Sequence, residues 1–233
     1  MNLPDYTLRY SKRAKYLQLR LSYRGLEVIV PIKKKLKDGI VTQFIEKKRP
    51  WIEKNWDRIC KTQIDPHTTP LLPTSIFLNA INQMWHIVYL ETSQDKISLF
   101  ANQNKQITLM GDITNEQSCL KKLRAWLKKM AHPYLYQQLM MLAEQTNLPF
   151  KEMTIRHNTT RWGSCSSQGN INLCCKLLFL PPHLMDHVLL HELCHTKIMR
   201  HGKDFWELLT RFDCLAKTHA KQLKTVQIPL WVR

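Results

Sequence analysis

Two histidines four residues apart, with a glutamate directly after the first, make the string HELCH at 191–195. On an α-helix, positions four apart lie one above the other on the same face. The imidazoles of His191 and His195 can therefore reach one metal ion at nitrogen–metal distances of about 2.0–2.1 Å. Glu192 is rotated by about 100° from His191. That offset removes it as a ligand but suits a carboxylate beside a metal-bound water. Zinc lowers the pKa of such a water toward roughly 7, and the carboxylate then takes its proton as general base. The chemistry implied is hydrolysis.

Two ligands do not complete a catalytic site, for which three protein ligands plus water is the usual count. His201 is the best third candidate: it lies six residues after His195, and Gly202 lets the chain leave the helix and fold back. Glu207 and Asp213, further along, are runner-up ligands. His187 shares the helix face one turn earlier, but it is eight residues from His195, roughly 12 Å along the axis. It cannot join the same ion and reads as core or as support for a ligand. Cys194 reads as a small side chain packed inward. The remaining histidines, at 67, 86, 132, 157, 183 and 219, have no ligand spacing and read as structural or surface residues.

Several elements must position these side chains. A helix over about 183–199 opens at the prolines 181–182, RHG at 200–202 breaks it, and KDFWELLTRFDCL forms another. Ahead of them, EMTIRH reads as a strand, NTTRWGSCSSQGN as a polar loop, and INLCCKLLFL as a central strand apolar on both faces. A long helix runs over roughly 115–146, capped by Thr114 or Asn115, with Pro133 as a candidate kink. Upstream, strand-like segments fall at 75–80, 84–91, 96–101 and 106–110, and the triple-proline stretch 61–73 reads as a loop. The first 35 residues alternate as three strands with a turn at 23–25. Residues 36–60 read as two short helices, the second starting near Pro50.

The chain has 233 residues, 35 Lys or Arg against 18 Asp or Glu, and a formal charge of +17. Residues 1–60 hold 15 of these cations and six acidic residues, and KKLRAWLKK at 121–129 adds a cluster. Such a field attracts polyanions, so nucleic acid or nucleotides are expected partners of the basic surface, although no nucleic-acid module is legible. No apolar run approaches the roughly 20 residues of a bilayer span, so no membrane association is expected. The first residues lack the apolar stretch of a secretory signal. Seven cysteines, an odd number without a CxxC pair, fit free thiols in a reducing compartment. A cytoplasmic location is the expectation.

Three separated segments, RWGSCSSQGNINL (161–173), PPHLMDHVLLHELCH (181–195) and HGKDFWELL (201–209), together resemble the YgjP-like metallopeptidase family, itself similar in its core to SprT-like and WLM zinc peptidases. RAKYLQLRL, LEVIVP and FIEKKRPWIEKNW near the N-terminus resemble it too, so the likeness covers almost the whole chain. It implies one zinc ion held by His191, His195 and His201, Glu192 as catalytic base, and the loop Arg161–Cys165 near the active-site helix. Where the family continues after INL with Asn and an aromatic residue, this chain has Cys174 and Cys175, which puts a substrate-contact role there in doubt. Read physically, Arg161 suits a carboxylate or phosphate and Trp162 is large enough to wall a pocket. The alternative is that Trp162 is core and Arg161 pairs with a structural carboxylate.

The expected fold class is α+β: a β-rich N-terminal region over 1–114 with the helical pair near 36–60, then a zincin-like helical metal-hydrolase region with a small sheet over 115–233. The leading function is zinc-dependent cleavage of peptide bonds in a peptide or protein substrate. Two alternatives stand beside it: hydrolysis of a nucleotide phosphoanhydride, toward which the positive charge would draw substrate, and a protease tethered to nucleic acid by its basic half.

Overall fold

Alternating apolar and polar residues near the N-terminus produce three strands, β1 (Tyr6–Ser11), β2 (Gln18–Ser22) and β3 (Gly25–Pro31). The computed structural model describes residues 6–11, 14–22, 25–32, 39–61, 72–94 and 96–232. Most of the turn at 23–25 and of the loop at 61–73 lies outside them. β3 is central, parallel to β1 and antiparallel to β2. Its Leu26, Val28 and Val30 are buried with Ile45 of α1 (Ile40–Lys47) and Ile52 of α2 (Arg49–Lys61). Pro50 sits in the first turn of α2, where its missing N–H breaks no helical hydrogen bond. These elements belong to one compact unit, Met1–Pro70; the second is Leu71–Arg233.

In the second unit, β4 (Ser75–Leu78), β5 (Gln83–Glu91), β6 (Ser98–Ala101) and β7 (Gln106–Gly111) form a sheet in the order β4-β5-β7-β6. One face, with Ile76, Leu78, Trp85, Ile87, Ile107 and Leu109, is buried in the same core as the apolar stripe of α3 (Glu116–Thr146). Trp85 meets Trp126 edge-on at 5.1 Å. The Asn115 side chain accepts from the Ser118 amide at 3.1 Å and caps α3, which runs on through Pro133. The strands at 75–111 thus share a core with the helix read as opening the C-terminal region.

A third sheet positions the chemistry. β8 (Glu152–Arg156), β9 (Gly163–Cys165) and β10 (Asn170–Cys174) stand in the order β8-β10-β9, with β10 parallel to β8 and antiparallel to β9. β10 is central, as its apolar character predicts. It does not run on to Leu180, however: Cys175–Phe179 form a 3-10 turn in which all five residues are buried. An apolar run buried on every side carries no periodicity, so its composition does not separate strand from tight turn. Pro182 then starts α4 (Pro182–His195), followed by α5 (Lys203–Phe212) and by α6 (Ala216–Gln222), a helix the sequence reading did not separate. The fold is α+β. No helix among the described residues is long and apolar enough to cross a membrane.

Candidate metal centre

α4 is buried along most of its length, with Leu184, Val188, Leu189 and Leu193 in the core. This packing fixes the rotation of the helix and so the direction of its histidines. His191 is half-buried, His195 buried and His201, in the turn before α5, exposed. Their Nε2 atoms form a near-equilateral triangle: 3.1 Å between His191 and His195, 3.0 Å between His195 and His201, and 3.0 Å between His201 and His191. Phe205 of α5, completely buried, touches all three rings with centroid separations of 4.6–4.9 Å. The turn imidazole therefore faces inward.

Three imidazole nitrogens at such separations do not satisfy one another. His195 Nδ1–H donates to the Ile198 carbonyl at 3.0 Å, which leaves the His195 Nε2 lone pair facing the other two rings. Burial, reinforced by the neighbouring His195, His201 and His187, pushes the pKa of His191 down to about 3, so this ring too is neutral and offers a lone pair. Two metal–nitrogen bonds of about 2.0–2.1 Å at a tetrahedral angle place their nitrogens roughly 3.3 Å apart. The donor type, the tautomer of His195 and the spacing all fit one divalent ion, and the triangle is one of two clusters of metal-ligating type among the described residues.

Glu192 is 5% exposed, and its Oε2 has no hydrogen-bond partner. Burial raises its pKa to about 7, against the opposing pull of the Arg161 guanidinium. β9 lies directly on this carboxylate: a Cβ on Gly163 would stand 2.5 Å from Glu192 Oε1 and 2.9 Å from its Cδ. The glycine is there for close approach. Trp162 is partly buried against the main core, and its carbonyl accepts from the Cys174 amide at 2.8 Å. Arg161 is exposed and close enough to Glu192 to lower its pKa. Cys165, on the same side of β9 as Gly163, has its thiol pKa raised to about 11 by burial and by Glu192.

The runner-up ligands lie elsewhere. Glu207 is exposed and pairs with Lys203 at 3.6 Å. Asp213 accepts from His187 Nδ1–H at 2.6 Å and from His219 Nδ1–H at 2.9 Å, forming the second cluster. His187 is thus a buried, hydrogen-bonded side chain one turn before His191, with ring centroids 6.3 Å apart. His219, read as a structural or surface residue, completes this arrangement; with no regular spacing to His187, only the fold brings them together. Phe205 was likewise not singled out; its contact with the three rings depends on how α5 packs against α4. Cys194 packs inward, fully buried.

No curated protein and no solved structure matches the chain. The family model described as YgjP-like, metallopeptidase domain matches residues 15–226. The match spans most of the chain, including the HELCH helix and the turn histidine, and the chain belongs to the YgjP-like metallopeptidase-domain family.

Proposed function

We propose that the protein is a zinc-dependent peptidase in which His191, His195 and His201 hold one ion and Glu192 is the general base. The observation that carries this reading is the convergence of three Nε2 atoms within 3.0–3.1 Å, next along α4 to a buried carboxylate with an unpartnered oxygen. Zinc is the assignment that three imidazole ligands favour, although other divalent ions accept the same nitrogens. When bound, the ion supplies Lewis-acid chemistry, polarising a carbonyl and acidifying water. Glu192, with a pKa raised to about 7, is matched to take a proton from water near neutrality and pass it to the departing amine. Gly163 holds the carboxylate in place from above, and Phe205 holds the three rings from below. Arg161 is positioned to steady negative charge developing on the substrate, and Trp162 walls the approach. β9 pairs only with β10 among the described strands, so its outer edge is open to an extended peptide. The cytoplasmic location proposed rests on the cysteine usage.

The test is hydrolysis of a casein-like substrate by metal-quantified protein. Chelation abolishes turnover and zinc restores it. Glu192→Gln keeps its zinc and loses about 10²–10⁴-fold in kcat; wild-type turnover in that variant removes Glu192 from the mechanism. A second reading, phosphoanhydride hydrolysis of a nucleoside triphosphate, is favoured by one observation: a hollow of about 500 Å³ lined by Arg156, Arg161 and neutral hydrogen-bonding side chains adjoins the site through Arg161. A nucleotide panel run in parallel separates the two, and activity confined to nucleotides overturns the peptidase assignment.

A further inference from the structure

The hollow beside Arg161 continues. A second one, of about 530 Å³, is lined by Lys128, Lys129 and His132 of α3 and by the end of β8, and the two share Arg156. No residue lining either is acidic. Gly163 and Cys165 turn toward Glu192, so Ser164, between them, projects to the other side of the sheet, where it pairs with Asn172. The Thr154 hydroxyl donates to Asn172 Oδ1, which leaves the Asn172 amide N–H groups as donors to the groove. Among the described residues Lys128, Lys129 and Arg156 make no ion pair. The carboxylate of Glu152 stands four residues before Arg156 on β8, about 13 Å away at the strand rise. Further positive charge lies behind the groove: Lys176 and Arg124, with burial as the larger effect, lower the pKa of His157 in its wall. The groove is a cationic track without its counter-charge.

We propose that this track holds an acidic stretch of the polypeptide substrate, so that the enzyme selects peptide bonds near runs of Asp and Glu. The inference rests on the peptidase reading and names its substrate class. Arg161, just before the edge strand β9, belongs both to the groove and to the surroundings of Glu192, so a chain lying in the groove reaches the catalytic face by passing Arg161 at that edge. The continuation past Arg156 to Lys128 and Lys129 favours an extended polyanion over a compact one. No Trp, Tyr or Phe lines the track, so the large aromatic platforms on which single-stranded bases stack are absent from its lining. Carboxylate side chains need only the charges and donors present.

The experiment measures fluorescence anisotropy of a labelled peptide of alternating Glu and Ala on zinc-loaded Glu192→Gln protein, against its Gln counterpart and oligo(dT). The Glu peptide binds more tightly than the Gln peptide and weakens as salt rises. Replacing Lys128, Lys129 and Arg156 together by Gln costs it roughly tenfold in affinity. Replacing Lys217 and Lys221, exposed cations of α6 outside the groove, leaves it unchanged. Equal binding of the Gln peptide, or an unaffected triple variant, overturns the proposal. Tighter binding of oligo(dT), with displacement of the acidic peptide, assigns the track to nucleic acid and overturns it too. Binding is read without turnover, so Glu-selective binding in a protein whose parent cleaves no peptide counts against the peptidase reading alone.

Discussion

The geometry of single side chains sets the sharpest expectations. Gly163→Ala forces a Cβ into the Glu192 carboxylate, with backbone on one side and a buried side chain on the other. The carboxylate moves while the imidazoles do not, so zinc content stays at the parent level and kcat falls by about 10²-fold, as for an ångström-scale misplacement; steady-state kinetics with metal analysis checks this. Phe205→Ala acts differently, because Phe205 is fully buried under all three rings. It costs about 3–5 kcal/mol of stability in chemical denaturation and weakens metal retention as well. His187 gives a pH signature. Burial depresses its pKa below 6.5, outweighing the opposite pull of Asp213. The unfolded chain then binds more protons below about pH 6.5, so this contribution to stability is present above that pH and is lost as the pH falls toward the folded-state pKa. Melting temperatures of the metal-free protein therefore fall between pH 7 and pH 5, and His187→Gln shows a smaller fall. Among these residues, His191 and His195 were legible because helical periodicity aligns them, and His201 because it stands where the chain leaves that helix beside Gly202. Gly163 and the His187–Asp213–His219 cluster were not, because their meaning depends on contacts between segments distant in sequence.

At the scale of elements, α4 is defined less by amphipathicity than by burial: both its apolar residues and most of its motif are inside. Its start was readable from the two prolines, and its end at His195 follows from the need to free His201 for the turn. The sequence reading carried the helix on to 199, through residues that instead form that turn. β10 was foreseen as central, but its apolar continuation was read as extended where it coils into a 3-10 turn, since burial on all sides erases the alternation that marks a strand. α3 was placed within a residue at each end by its cap and stripe. Asn115→Ala removes the side chain that accepts from Ser118 and costs about 0.5–2 kcal/mol. A fall in the denaturation midpoint without change in slope or in zinc content is the expected result.

At the scale of the whole chain, each compact unit has a hydrophobic core of its own among the described residues, one drawn from residues of 1–70 and the other from 71–233. The imidazole triangle, Glu192, the sheet above it and the basic groove all lie in the second. A fragment beginning near residue 72 should therefore fold and bind one zinc ion with parental affinity; failure to fold would tie the site to the first unit. A core that joins β4–β7 to α3 was not legible in the pattern, which switches from strand-like to helical near residue 114, because packing between a sheet and a helix leaves no mark at the junction in the sequence. The account as a whole depends on three imidazoles sharing one cation. Cobalt(II) titration of the metal-free protein, followed by its visible d–d absorption, tests this most directly. The prediction is saturation at one ion per chain with the intense bands of a tetrahedral site, and loss of those bands in His201→Ala. An unchanged spectrum and unchanged affinity in His201→Ala would contradict it.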